Sequence, residues 1–290
     1  MCVIVGKYFE GVGWVGVKNR DRNYIPKISF KKKLEDDVEI LYFWDDITQY
    51  SEGLNSSGIC VISASLMVLD DEKEIEVRAK RPSRDGIKIR HALEFTDVRA
   101  VAMSLVKNKL TGSTMIFDQE TMILLEGAWT DYSKKEYDFK IKVIPHDQTV
   151  ARTNHGIWLP AAGYQRTEGD PGETASRISS ESRLDIAKHI VDVAAAPQDL
   201  IDDLCKTYID NSQLNVFRTT SDKKKMRTTA QLMMIPSENT LYVRPVQSHM
   251  TFDFWELNHP KHKTWVELLS NRALYVKNGA LDLDDNLTHN

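Results

Sequence analysis

Four short segments near the start of the chain set the strongest limit on how it can fold. "CVIVG", "GVGWVGVKN", "VEILYFW" and "GICVISASLMVL" are rich in Val and Ile and separated by Gly, Asn or charged turns, so they read as strands. Helical spacing follows in Ala92, Phe95, Val98, Ala102 and Leu105 and predicts a helix over residues 87–109. "STMIFDQETMILLEG" reads as a hairpin turning at Asp118 to Glu120, with more strand in "YDFKIKVIP" and "TVARTN". A polar loop, "QRTEGDPGETASR", precedes helices expected over 179–193 and 197–209. "RTTAQLMMIPSENTLYVRPV" returns to a hairpin, and the tail "GALDLDDNLTHN" is expected to fray. Strands, helix, strands, helices, strands is an α+β order, with helices packed on antiparallel sheets. No Pro/Ser-rich linker or internal repeat divides the chain, so residues 1–290 are expected to form one domain, with 81–87 and 165–178 as loops within it.

The net charge of −4 argues against a general electrostatic grip on nucleic acid or anionic membranes. The lysine runs at 31–33 and 223–225 read as solvated loop tips. No apolar stretch approaches the roughly 18 residues that a membrane span needs. The amino terminus lacks a charged region followed by an apolar run, so no signal peptide is expected and the expected location is the cytoplasm. Three cysteines in 290 residues do not make a disulfide framework. Cys60 reads as a buried strand residue and Cys205 as a helical core residue.

Two strings invite a cofactor reading and fail it. "GVGWVG" at 11–16 matches G-x-G-x-x-G, but Trp14, Val15 and Val17 continue a strand where a dinucleotide site needs a helix. Its glycines fit a hairpin turn, with Gly13 and Gly16 at close-packing positions. His259 and His262 in "HPKH" lack further ligands, and no H-E-x-x-H or paired C-x-x-C string accompanies them. No Gly-x-Ser-x-Gly elbow or P-loop is present. Neither a metal nor an organic cofactor is expected.

Cys2 stands directly behind Met1. Removal of Met1 leaves one residue carrying both a thiol and a free α-amine, which is nucleophile and general base together. An α-amine with a pKa of roughly 7.7–8.0 takes up and returns a proton near neutral pH. The alternative is that Cys2 simply begins a buried strand.

Five strings bear on that choice: "MC", "VKNRDR" at 17–22, "EGLNSSGICV" at 52–61, "ARTNHG" at 151–156 and "SSESR" at 179–183. Their order resembles that of cysteine N-terminal nucleophile (Ntn) hydrolases, in the branch holding choloylglycine hydrolases, penicillin V acylases and penicillin-side-chain acyltransferases. "KNxDR" is also similar to the secernin and dipeptidase group. The resemblance implies a four-layer αββα sandwich with Cys2 as nucleophile. It implies that Asp21 orients the α-amine, that Asn154 donates to the oxyanion, and that Arg183 is a buried support of the catalytic centre. Their plainer alternatives are a turn residue paired with Arg20 or Arg22, a turn or cap asparagine, and a solvated arginine behind a Ser179 or Ser180 cap. Lys18 stands where choloylglycine hydrolases have an arginine; it can lower a thiol pKa by charge but lacks the planar fork. That departure argues against a bile-salt or penicillin substrate. Ser65 is expected to supply a backbone oxyanion donor, with Asn19 and His155 as further pocket or structural residues.

The implied activity is hydrolysis of a linear amide through a thioester, on a small N-acyl amide substrate. Transfer of the acyl group to an amine, or a non-catalytic binding module retaining the fold, are the alternatives. Asn154 and Arg183 are only 29 positions apart, and the polar segment between them offers little apolar area. The tetramer of bile-salt hydrolases is therefore not expected, whereas a homodimer through another face is allowed.

Overall fold

The structure is a computed structural model that describes residues 2–66, 85–131, 136–160, 162, 171–222, 224–246, 249–252, 255–256, 266–269, 273–277 and 280–283. β1 (Cys2–Phe9) and β2 (Gly13–Arg22) pair antiparallel, with Cys2 opposite Arg20 and Gly6 opposite Gly16. The turn between them passes through Gly11 and Gly13 at φ of 77° and 95°, conformations that only glycine adopts without steric cost. A Cβ on Gly16 would stand 2.5 Å from the Phe117 ring. "GVGWVG" is thus a hairpin and packing feature.

β3 (Lys27–Glu35), β4 (Val38–Asp45), β5 (Ser51–Asn55) and β6 (Cys60–Ala64) follow as an antiparallel meander. β3 corrects the reading of residues 31–33 as a loop tip. Ile28 and Phe30 are buried in β3, and the three lysines continue the strand on their aliphatic stems. Their heads are paired: Lys31 lies over the Trp44 ring at 5.1 Å, Lys32 meets Glu39 at 3.1 Å, and Lys33 meets Glu94 at 2.9 Å. The helix expected over 87–109 is two helices, α1 (Asp85–Ala92) and α2 (Val98–Lys107). Asp97 breaks the run because its carboxylate accepts the Ala100 N–H at 2.8 Å and caps α2.

β7 (Gly112–Phe117) and β8 (Met122–Asp131) form the expected hairpin, whose turn is closed by Asp118 accepting from the N–H groups of Glu120 and Thr121. β9 (Glu136–Ile144) and β10 (Val150–Arg152) come next. α3 (Pro171–Val193) begins eight residues before the expected start, so much of the "QRTEGDPGETASR" loop is helix. Proline is favoured in a first helical turn, where its missing N–H costs nothing. Residues 165–170 of that loop lie outside the described residues. α4 (Pro197–Asp203) ends six residues short of its expected limit. Beyond it the Tyr208 and Ile209 N–H groups bond to Asn215 Oδ1 and hold the chain in an irregular turn.

β11 (Arg227–Ile235) and β12 (Thr240–Pro245) form the late hairpin, with Asn239 in the left-handed region at φ 51°. β13 (His249–Phe252), β14 (Trp255–Glu256), β15 (Val266–Leu269), β16 (Ala273–Lys277) and β17 (Ala280–Leu283) complete the strands. The expected fraying of the tail is corrected at β17, which pairs with β16; residues 284–290 lie outside the described residues.

One sheet runs β10-β1-β2-β11-β12-β15-β16-β17 and the other β14-β13-β3-β4-β5-β6-β7-β8-β9. Pairing is antiparallel except between β13 and β3. Alternation along each strand sends side chains to opposite faces and makes the three large cores among the described residues. Ile4, Phe30, Phe43, Ile62 and Phe117 pack between the sheets. Val3, Val5, Val15 and Val17 pack outward, against Ala187, Ile190 and Val191 of α3. Ile40, Val61 and Ile116 pack against Ile89 of α1 and Val101 and Leu105 of α2. Helices, sheet, sheet and helices are the four layers.

Candidate active site

Cys2 begins β1 with its sulfur toward the second sheet and its backbone held from the helix side. Its N atom lies 2.9 Å from Asn154 Oδ1, and its carbonyl accepts from Arg183 Nη1 at 3.1 Å. Arg183 Nη2 also donates to Asn154 Oδ1, at 3.1 Å. Two donors on Oδ1 fix the orientation of the amide. Asn154 Nδ2 therefore faces Ser65 and donates one of its two N–H groups to the Ser65 carbonyl at 2.7 Å. Arg183 is fully buried because Ser179, Ser180, Arg183, Leu184 and Ala187 recur at helical spacing on the inner face of α3. The two serines are mid-helix residues, not a cap, since the helix starts at Pro171.

Asp21 anchors Arg183 from β2. Its Oδ1 accepts from Thr228 Oγ1 at 2.9 Å, and its Oδ2 lies 3.7 Å from Arg183 Nη1 and 3.6 Å from Arg218 Nε. All three charged groups are fully buried, so each depends on the others for compensation.

The opposite face of β2 presents three cations at a spacing of two: Lys18, Arg20 and Arg22. Lys18 forms a buried ion pair with Glu52 and donates to the Ser63 carbonyl at 2.7 Å. Arg20 forms a second buried pair with Asp45. Arg22 Nη1 approaches Cys2 Sγ at 3.6 Å, and its Nε meets Tyr24 Oη at 3.1 Å; that phenol in turn donates to Asp45 at 2.6 Å. Burial pushes the Cys2 thiol up, but the charges of Lys18, the amino terminus and Arg22 outweigh it and hold the thiol at about 6. A thiol placed so is largely thiolate at neutral pH. Arg22 thus supplies the guanidinium that Lys18 lacks. Sequence reasoning passed over Arg22, although its alternation with Lys18 in "VKNRDR" carries the signal. Asp45, Arg218 and Thr228 had no local signal, because each reaches the site from a strand or loop distant in sequence; Glu52 heads the string "EGLNSSGICV" but was not singled out within it.

His155 is buried beside the site, with Nδ1 2.8 Å from Ser180 Oγ and 3.2 Å from Thr153 Oγ1. The same Ser180 Oγ accepts the Asn154 N–H at 3.0 Å. Burial, with Arg177 and Arg183 nearby, lowers His155 to about 4, so it is neutral at physiological pH. It steadies the turn that carries Asn154. Glu126 steadies the next residues, accepting from the N–H groups of Ile157, Trp158 and Leu159 at 2.7–3.2 Å. Asn19 departs from its expected pocket role. It lies on the helix-side face of β2, donating to the Leu204 and Val216 carbonyls and accepting from Gln231.

The other cysteines lie apart from this cluster. Cys60 is buried between the sheets, where burial raises its thiol well above the ordinary range. Cys205 is not within a helix as expected; it follows α4 and accepts from Arg244 Nη1 at 2.8 Å. His259 and His262 lie outside the described residues, as does Met1. Among the described residues no group of three or more His, Cys, Asp or Glu could hold a metal ion, and no helix is long and apolar enough to cross a membrane.

No family model matches the sequence, and no curated protein sequence matches it. Solved structures do. A variant of the conjugated bile acid hydrolase from Clostridium perfringens superposes with a TM-score of 0.50 at 11% identity, covering 98% of this chain and 99% of that one. The Caenorhabditis elegans ortholog of N-acylethanolamine-hydrolyzing acid amidase gives 0.49 at 10% identity over 82% and 93% of the two chains. Penicillin V acylase from Agrobacterium tumefaciens gives 0.47 at 10% over 92% and 91%. The end-to-end match to the bile acid hydrolase variant, together with the layer order, establishes the fold: a four-layer αββα Ntn-hydrolase sandwich with Cys2 at the head of its first strand.

Proposed function

We propose that this protein is a cysteine Ntn amidase that cleaves the linear amide of a small N-acyl substrate. The observation that carries the reading is the convergence on one residue at the chain's beginning. The Cys2 sulfur lies 3.6 Å from a guanidinium, and the Cys2 nitrogen lies 2.9 Å from an oriented amide oxygen. With Met1 removed, that nitrogen is the α-amine. The Cys2 thiolate, its proton already held by the α-amine as an ammonium, attacks the amide carbonyl and gives a tetrahedral oxyanion. The second N–H of Asn154 Nδ2 and a backbone N–H near Ser65 hold that charge. As the C–N bond breaks, the α-ammonium returns the proton to the leaving nitrogen, and a thioester remains on Cys2. Water then attacks the thioester with the amine as base, releasing the carboxylic acid and restoring the thiol. Asp21 holds Arg183, and Arg183 holds both Asn154 and the Cys2 carbonyl, so the three act as one positioning unit. No step requires a cofactor.

Intact-mass spectrometry tests the reading. The purified protein should lack Met1, and incubation with a panel of N-acyl amides and an electrophilic β-lactam should add an acyl mass at Cys2. A protein that retains Met1 and still turns over amides fully would overturn the mechanism.

A further inference from the structure

The second sheet ends at β9, beyond which no strand pairs among the described residues. β9 is exposed along most of its length. Phe139, Ile141 and Val143 are 38%, 40% and 53% exposed, and Tyr137 stacks on Phe139. These odd-numbered residues share the helix-side face with their ladder neighbours Leu125 and Ile123. Glu136, Asp138, Lys140 and Lys142 form the other face. An apolar row on an open strand edge is a template for another strand.

The charges specify which strand. Reversed against itself about Phe139, "EYDFKIK" sets Glu136 opposite Lys142, Asp138 opposite Lys140, Tyr137 opposite Ile141, and Phe139 opposite its own copy. Every charge then meets its opposite. Centring one residue later sets Lys140 against Lys140, and one residue earlier sets Asp138 against Asp138. The Phe139 N–H donates to the Asp138 carboxylate at 2.7 Å, a side-chain bond suited to an amide on the open edge. Odd-numbered residues then exchange backbone bonds across the axis, and the charged pairs fall at the close, non-hydrogen-bonded positions, where cross-strand charges interact most strongly. Within its own chain Lys142 reaches a neutral partner, Gln148 at 3.2 Å.

We propose that β9 is a homodimer interface. A second copy of this chain adds its own β9 antiparallel about Phe139 and joins the two nine-stranded sheets edge to edge. This surface does not depend on the amidase reading.

Sedimentation equilibrium with two charge-swapped variants tests it. Lys140→Glu/Lys142→Glu and Glu136→Lys/Asp138→Lys each give a strand edge of one sign, so each alone should self-associate at least about tenfold more weakly than wild type. Mixed, they restore every opposite-charge pair, and a heterodimer of wild-type strength should form. A circular dichroism spectrum matching wild type checks that each variant is folded, and recovery in the mixture shows the same independently. A monomeric wild type would leave the edge free for a different strand and overturn the proposal. So would undiminished dimers in both variants, or no recovery on mixing.

Discussion

The two faces of β2 hold their charges differently. Toward Cys2 stand Lys18, Arg20 and Arg22, whose acids Glu52 and Asp45 come from β5 and β4 of the other sheet. Toward the helices stand Asn19 and Asp21, tied to Arg183 of α3, to Arg218, and to Thr228 and Gln231 of β11. The first face reaches across the gap between sheets and sets the charge on the sulfur. The second ties one sheet to its helix layer and sets the position of the Cys2 backbone through Arg183. One ten-residue strand thereby divides ionisation of the nucleophile from its placement. If the division is real, substitutions on the two faces should be read by different measurements.

Cys2→Ser should have the largest effect, because it removes the group that both faces serve. Turnover should fall by about 10³-fold or more while the melting temperature stays near wild type, since serine keeps the backbone bonds to Asn154 and Arg183. Steady-state rates and a melting curve check this together; near-normal rates in the serine variant would dissolve the comparison at its centre. On the placement face, Asp21→Asn leaves Arg183 and Arg218 buried without their shared carboxylate. Loss of one partner from a buried ion pair costs about 3 kcal/mol or more, visible as a lower urea midpoint. Reactivity should fall with it, because Arg183 no longer holds Cys2 and Asn154 in register.

Much of this division was legible in the sequence, but unevenly. The four early strands and the hairpin turning at Asp118 to Glu120 could be read from alternation and turn residues, and element order gave the α+β class; the αββα layering came only with the resemblance to cysteine Ntn hydrolases. Cys2, Asp21, Asn154 and Arg183 stood out only as an ordered set, and the structure brings them together around the Cys2 backbone. Lys18 of the ionising face was legible, but its counter-charges were not. Its acids, Glu52 and Asp45, arrive through strand pairing in a second sheet, which no local pattern announces. Lys31 to Lys33 looked like a loop because charge counts against a strand, yet their stems lie along it and Glu39, Glu94 and the Trp44 ring take their heads. Pro171 misled in the opposite sense. It punctuates a loop and opens a helix equally well, and only packing of the Arg183 face chooses between them.

His155 tests the placement face by pH. Its folded value of about 4 lies below the ordinary 6.5, so the unfolded chain binds a proton first as pH falls. The stability linked to neutral His155 is complete above 6.5 and is lost as pH falls through about 4. Wild type should lose about 3 kcal/mol across that window, and His155→Asn should lose correspondingly less. Urea midpoints at several pH values decide it. An identical pH dependence in the two proteins would remove His155 from the anchoring side of the comparison.

Arg22→Leu should have the smallest effect and discriminates most sharply between the faces. Arg22 is partly exposed, whereas Lys18 and Glu52 are fully buried. Removing Arg22 takes one cation from the sulfur and strands no buried acid, since Asp45 keeps Arg20. The pH midpoint of Cys2 alkylation, expected at about 6 in wild type, should rise by about one pH unit, with the urea midpoint nearly unchanged. Arg22→Lys keeps the charge and should recover most of the shift. Lys18→Met should raise the midpoint further, but it leaves Glu52 buried and alone, so stability should fall with it. If Arg22→Leu leaves alkylation centred at about 6, the thiolate belongs to Lys18 and the amino terminus. The guanidinium at 3.6 Å would then be a neighbour of the sulfur without influence on it.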